Sequence, residues 1–276
     1  MVPDNQSLNL FSGATGLTCY GDSPSIPPPP PSEISPTKVP SPVPYRTEPV
    51  EIDGHILLKG RVSTKEIMGL PSSDLVPGVY EGGLKLWEGS IDLVRALNKE
   101  IKDEKLSFAG KRVVELGCGH GLPGIFALKQ GADSVHFQDF NAEVLHHLTV
   151  PNAKANLSNE VGLDPELRFF SGCWSQLHEL LQMNEHRNSG YDVILTAETI
   201  YSVSSQRSLY ELIKKCLKRA TGVVYVAAKR YYFGVGGGTQ QFLSLIEEDG
   251  FLVGSLVAEV SDGFSNVREV WKLSVK

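Results

Sequence analysis

RVVELGCGHGLPG, residues 112–124, decides the fold. It begins with a short apolar, β-branched run, passes through three closely spaced glycines and ends on Pro123-Gly124. The run reads as a buried strand, and the glycines as a turn whose backbone takes positive φ and lies close to a ligand. Pro123 suits the first turn of a helix, where its missing N–H costs nothing. Strand, tight turn and helix follow one another within thirteen residues. The exposed amides at such a helix start attract an anion. Gly119, Gly121 and Gly124 spell G-x-G-x-x-G, the dinucleotide-binding turn. A phosphate fits this turn, and so does a carboxylate, so the glycines alone leave the ligand open.

Outward from this unit the chain keeps alternating. SVHFQDF (134–140), ELRFFSG (166–172), YDVILTAETIY (191–201) and GVVYVAAKRYYF (222–233) read as strands. Helical stretches separate them at 125–131, 142–157, 174–182 and 204–219, and a further helix covers 239–250. Parallel neighbours need such crossovers, so the pattern predicts an α/β fold with a doubly wound, seven-stranded, mostly parallel sheet. FLVGSLVAEV and REVWKLSV have only the turn SDGFSN between them and form an antiparallel C-terminal hairpin. A parallel sheet ending in such a hairpin is the arrangement of class I methyltransferases.

Three regions follow. Twelve of the 17 prolines precede residue 50, with PPPPP at 27–31, so residues 1–50 read as an extended, disordered, Pro-rich tail. Residues 51–110 form an extension packing on the core, with a small strand or hairpin over 51–68 and a helix starting near Ser90. Residues 111–276 are the ligand-binding domain. No apolar stretch reaches the roughly 20 residues that cross a bilayer, so no membrane association is expected, and the start MVPDNQSLNLFSG lacks a secretory pattern. The four cysteines are scattered without a C-x-x-C pair, and no histidine spacing supports a metal site. Neither disulfide nor metal is expected, and the compartment reads as reducing. A net charge of −6 argues against direct nucleic-acid binding and suits a basic protein partner.

The neighbours of the glycines choose the ligand. Glu115 precedes the loop, where an acid meets the cationic end of a zwitterion but would repel a pyrophosphate. Asp139 ends the next strand and can accept both ribose hydroxyls, a feature shared with dehydrogenases. Trp174 follows the third strand, where an indole can cover an adenine. Together they point to S-adenosylmethionine.

SDLVPGVYEGGLKLWEGSIDL, VVELGCGHGLPG, VHFQDFN, PNAKAN, LTAETIYS and AAKRYYFGVGGG occur in that order. In this the chain resembles the protein-histidine N-methyltransferases, seven-stranded enzymes with an Asp/Glu-x-x-Tyr motif after the fourth strand. The resemblance spans roughly residues 70–276. It implies transfer of a methyl group to the tele nitrogen of a histidine in a protein, a large-subunit ribosomal protein, in cytoplasm and nucleus. By the same resemblance Trp87, Glu115, Gly117, Gly119, Gly121, Asp139, Trp174 and Ala197 hold the cofactor. Glu198 and Tyr201 are the acid and tyrosine of the motif. One departure is Cys173, where many relatives carry an acid before the tryptophan.

A neutral imidazole, with an intrinsic pKa of ~6.5, already carries a free lone pair and needs no strong base. It needs an acceptor for its other N–H, to fix the tautomer and to stabilise the cation formed. Glu198 is assigned that role, with Tyr201 shaping the slot and Tyr231, Tyr232, Phe233 and Gly236 lining the substrate side. FGVGGG (233–238) reads as a loop open to substrate backbone or as a hinge, and His120 as a solvent-side residue. A monomer is expected. Two other readings stay open: a lysine methyltransferase of the same group, and a cofactor-binding chaperone of a ribosomal protein without turnover.

Overall fold

The computed structural model describes residues 30–36, 45–70, 73–158, 164–182, 190–261, 263 and 266–276. The chain enters through β1 (Ser32–Ile34), β2 (Arg46–Ile52) and β3 (His55–Arg61), then α1 (Thr64–Met68) and α2 (Glu88–Lys102). The alternating region follows as β4 (Arg112–Leu116), α3 (Leu122–Lys129) and β5 (Ser134–Asp139). Next, α4 (Ala142–Val144), a π-helical turn (Leu145–Thr149) and α5 (Val150–Leu157) run on as one helix. Then come β6 (Glu166–Ser171), α6 (Trp174–Gln182), β7 (Val193–Ala197), α7 (Val203–Cys216), β8 (Val223–Lys229) and α8 (Thr239–Asp249). β9 (Leu252–Val260) and β10 (Arg268–Val275) end the chain.

The sheet runs β1-β6-β5-β4-β7-β8-β10-β9. β6, β5, β4, β7 and β8 are mutually parallel, and β10 lies antiparallel between β8 and β9. Val113 of β4 packs on one face of the sheet, Val114 and Leu116 on the other, so both faces are covered. That double burial is why the strands read as continuous apolar runs. α3 is buried along nearly its whole length, which explains its lack of a polar face. Strand order reverses at β4, and a crevice opens at the carboxyl ends of strands at such a point.

The expected hairpin over 51–68 is β2–β3, a separate two-stranded sheet. It turns at Asp53-Gly54, both with positive φ (49° and 89°), as a two-residue turn requires. Two strands alone are marginal in water. Side chains of α5 hold this pair: Asn156 accepts the Leu58 N–H at 2.8 Å and returns a bond to the Leu58 carbonyl at 2.7 Å.

The expectation for the tail needs correction. Ser32–Ile34, inside the stretch predicted to be disordered, adds an eighth strand antiparallel to β6, and β2 begins at Arg46. Proline hides the strand, but an open sheet edge offers unpaired N–H and C=O groups. Ile34 is buried, and Glu33 accepts two bonds of 2.8 Å from the Arg168 guanidinium. Most of the polyproline run, 27–29, lies outside the described residues. Among the described residues no helix is long and apolar enough to cross a membrane, and no acid, cysteine or histidine cluster could hold a metal.

Candidate active site

A cavity lies over the carboxyl ends of β4, β5, β6 and β7. Its floor is Gly117–His120 after β4, Asp139 and Phe140 after β5, Gly172–Trp174 after β6, and Ala197–Thr199 after β7. Gly117, Gly119 and Gly121 have φ of +64°, +48° and +71°. A Cβ at Gly117 would lie 2.4 Å from the Thr199 methyl, and one at Gly119 3.0 Å from the Gly83 carbonyl, so the loop is also too crowded for a side chain. Gln138 and Asp139 fix the loop from below. Gln138 accepts the Gly117 N–H at 3.2 Å, and Asp139 accepts the Gly119 N–H at 2.9 Å.

Glu115, expected to face the ligand, does not reach the cavity. It is buried beneath the loop, outside the cavity lining, and accepts the Gly124 N–H at 2.8 Å. It thereby answers one open amide at the start of α3, the group expected to attract an anion. Burial pushes its pKa up to about 8, against the pull of the Gly124 amide. Gly121 likewise stays below the cavity as the N-cap of α3. His120 is buried rather than on the solvent side, and desolvation lowers its pKa to about 3.

Asp139 reaches the cavity with its carboxylate already accepting the Gly119 and Asn141 amides. The Phe140 amide also bonds it, and of the about four lone-pair positions a carboxylate offers, one is left for a hydroxyl. Burial raises its pKa to about 6, opposed by those amides. Trp174 opens α6 and donates its indole N–H to Gln138 at 2.8 Å, which fixes the ring at the cavity wall. Trp87 lies opposite, donating to the Gly82 carbonyl at 3.1 Å.

Glu198 is one of three non-glycine residues with positive φ among the described residues, at +58°. Such a conformation costs about 1–3 kcal/mol and persists where the surroundings enforce it. The backbone N–H is bound to the Ala227 carbonyl at 2.8 Å, and Oε2 accepts the Tyr232 hydroxyl. Oε1 is buried without a hydrogen-bond partner, against Gly89, where any Cβ would lie 2.6 Å from it. Burial raises the pKa of Glu198, with the Tyr232 hydrogen bond and Lys229 pulling it down. Tyr201 also lines the cavity and donates its hydroxyl to Glu81 Oε2, while Glu81 Oε1 accepts the Gly78 N–H at 2.8 Å.

Of the predicted residues, Trp87, Gly117, Gly119, Asp139, Trp174, Ala197, Glu198 and Tyr201 meet at one cavity. Tyr232 stands behind Glu198 rather than in the lining. Tyr231 and Phe233 are exposed outside it, and Gly236 bridges to Ser202 near its mouth. The glycine-rich 233–238 stretch is no loose hinge: Gly237 and Gly238 donate to the Tyr201 and Ile200 carbonyls at 3.0 Å each. Sequence reasoning missed Gln138, Glu81 and Gly89. Gln138 carried a signal, an amide inside a strand-like run beside Asp139, whereas Glu81 and Gly89 lie more than a hundred residues from their partners Tyr201 and Glu198. Cys173, expected to be reduced, is disulfide-bonded.

A sheet of this order, with its cavity at the carboxyl ends of the core strands and an acid at the end of the second of them, defines a class I methyltransferase fold. Solved structures share it: a SAM-dependent methyltransferase from Agrobacterium tumefaciens matches with a TM-score of 0.51 at 13% identity, over 86% of this chain and 72% of that one. A Streptococcus mutans protein titled as a SAM-dependent methyltransferase gives 0.55 at 14%, over 85% and 57%. The chain belongs to the lysine methyltransferase family, whose profile matches residues 78–249. It is similar to the histidine protein methyltransferase 1 homologue of Dictyostelium discoideum, 44% identical over 207 residues, covering 75% of this chain and 62% of that protein. The Bos taurus homologue is 43% identical over 196 residues, covering 64% and 51%. The chain thus spans about half to three-fifths of these relatives' length.

Proposed function

We propose that this chain is an S-adenosylmethionine-dependent protein-histidine N-methyltransferase. The observation that carries the reading is the Glu198 carboxylate, held in a strained backbone at the cavity with one oxygen taken by Tyr232 and the other unpartnered. A buried acceptor left open in the resting protein is an expensive feature, and a substrate N–H relieves it. The relatives titled histidine protein methyltransferase support the same conclusion.

The residues at the cavity fit the cofactor. Asp139 keeps an acceptor position open for a ribose hydroxyl, Trp174 offers an indole face for adenine, and the glycine loop leaves room for the methionine part. When bound, the cofactor supplies an electrophilic methyl group on sulfur. The protein then has to align the nucleophile and keep water out. Glu198 Oε1 accepts the Nδ1–H of the substrate imidazole, which leaves the tele nitrogen, Nε2, as the free lone pair. The same carboxylate balances the positive charge that appears on the ring as its nitrogen gains the methyl. Tyr232, whose phenol stays protonated through burial and the neighbouring Glu198, holds the carboxylate in place. Tyr201, anchored on Glu81, forms the slot wall.

The family's lysine methyltransferases offer the second reading. A carboxylate beside a lysine favours the protonated ammonium, which cannot attack, whereas beside an imidazole it orients a nucleophile that is already neutral. Glu198 therefore favours histidine. A basic ribosomal protein is the substrate this reading expects, encountered in cytoplasm or nucleus. Tritiated cofactor incubated with a lysate lacking the endogenous activity tests it. Hydrolysis of the labelled protein should release tele-methylhistidine, and Glu198→Ala should keep cofactor affinity while losing transfer. Release of methyllysine, or an undiminished rate in the variant, would sink the assignment.

A further inference from the structure

Beside the cavity mouth the surface turns apolar. Phe233 is 84% exposed, Tyr231 50%, Val235 50% and Val203 46%. The Tyr231 and Phe233 rings lie 6.5 Å apart, tilted by 32°. Large side chains clustered this way are unusual on a solvated surface and mark binding sites.

Nor is the segment that carries them loose. Tyr232 takes its N–H to the Gly237 carbonyl at 2.9 Å, and the Gly236 N–H returns to the Tyr232 carbonyl at 2.9 Å. Asn266 donates to the Tyr231 carbonyl from the other side. Gly237 and Gly238 are glycine by necessity, because a Cβ would strike the Ile200 and Arg230 carbonyls at 2.3 and 2.2 Å. The fold thus fixes the backbone and presents the aromatic side chains to solvent. An anchor on a fixed backbone loses little entropy on binding.

The patch is also continuous with the site. Val235 lines the cavity, and Tyr232, between the two exposed aromatics, donates its hydroxyl to Glu198. We propose that Tyr231, Phe233, Val235 and Val203 form the docking surface for the substrate polypeptide beside its methyl-accepting residue, and that this polypeptide carries a bulky apolar side chain two to four residues from that residue. The inference rests on the methyl-transfer reading above. The spacing follows from the geometry. One tyrosine side chain separates the segment's backbone from Glu198, and Phe233 is the next residue. An anchor on Phe233 lies on the order of 7–13 Å from the acceptor, which an extended chain covers in two to four steps of ~3.3 Å.

The test compares the wild-type chain with a Tyr231→Ser, Phe233→Ser double variant, both solvent-side changes that leave the core intact. Each is assayed for transfer against rising amounts of the protein that the labelling identifies, purified unmethylated from the lysate lacking the endogenous activity, and cofactor affinity is measured by calorimetry. The variant should need about 10- to 100-fold more substrate for half-saturation, the range a truncated aromatic anchor commands, with cofactor affinity within twofold. Sequencing around the labelled residue should show the apolar side chain within four positions. Unchanged half-saturation, or a labelled residue flanked only by polar side chains over that span, overturns the docking surface and leaves the methyl-transfer reading standing. Absence of any label transfer by the wild type, or label on lysine, overturns that reading instead, and the docking surface with it.

Discussion

Replacing Glu198 by glycine together with Tyr232 by phenylalanine should make the protein more stable and inactive. Three quantities set the magnitude. Glycine at φ +58° removes backbone strain of about 1–3 kcal/mol. Removing the carboxylate removes an unpartnered buried oxygen, which costs about 1–3 kcal/mol. Against these, glycine gives the unfolded chain freedom worth about 0.5–1 kcal/mol. The Tyr232–Glu198 bond goes with both its partners, which is close to neutral, while the Lys229 N–H loses the Tyr232 hydroxyl at 3.3 Å, a long bond whose loss costs about 0.5 kcal/mol. The balance is roughly 0.5–5 kcal/mol in favour of the variant, and each kcal/mol raises the melting midpoint by roughly 2–4 °C in chains of this size. Thermal denaturation followed by circular dichroism reads the shift, calorimetry reads cofactor affinity, and tritium transfer reads activity. A double variant that melts below the wild type while still binding cofactor would refute the idea that Glu198 is held against its own conformational preference for the sake of chemistry.

Other perturbations isolate other parts of the site. Gly89→Ala places a methyl 2.6 Å from Glu198 Oε1 and should cut transfer by about a hundredfold through displacement of the acceptor, with calorimetric cofactor binding unchanged. Asn152→Ala strips partners from the His120 carbonyl, the Gly60 N–H and the Tyr45 hydroxyl, and should weaken cofactor binding about 10- to 100-fold by calorimetry. Burial raises the Glu198 pKa, so its acceptor form is lost as pH falls, at a higher pH than an ordinary carboxylate. The acid limb of kcat/KM should therefore contain two ionisations, Glu198 and the substrate imidazole at ~6.5, and Glu198→Gln should leave one. His120 and His136 are held neutral, with pKa lowered to about 3 by burial. Between pH 6.5 and 3 the unfolded chain binds protons at these two residues that the native chain refuses, so their contribution to stability falls as pH drops. Urea midpoints across that range should show the loss, and His136→Asn should reduce its slope by one proton.

What the sequence reveals here depends on whether a role is local. β4, β7 and β8 are legible because strands buried on both faces are largely apolar, and Asp139 and Trp174 because each sits at or just past a strand end that points at the crevice. Glu115 is legible as important yet misplaced, since the letters do not say whether an acid before a glycine turn rises into the cavity or props the turn from below. Gly89 looks like an ordinary glycine in LWEG until Glu198, far along the chain, is seen against its Cα. Glu81 is hidden for the same reason, its partner Tyr201 being set by the fold alone. β1 escapes notice because proline-rich surroundings mask three residues whose pairing depends on an edge they do not encode.

The same distinction explains why the working unit is larger than the region that defines the family. The matched residues 78–249 exclude the β2–β3 hairpin, yet Asn152 binds both sides at once. Its Oδ1 accepts the Gly60 N–H and the Tyr45 hydroxyl at 2.6 Å each, and its Nδ2 donates to the His120 carbonyl of the glycine loop at 2.8 Å. One turn earlier, Thr149 donates to the neighbouring Gly119 carbonyl at 2.6 Å. Both side chains come from the helix interrupted by the π-helical turn at Leu145–Thr149, a distortion that recurs at functional sites. Two successive loop carbonyls are therefore anchored to a helix that the hairpin braces from behind. Gly60 cannot carry a side chain there, because a Cβ would meet the Tyr45 ring at 2.3 Å. The glycines give the loop a conformation that other residues rarely adopt, and this brace keeps it from adopting any of the others that glycine also allows.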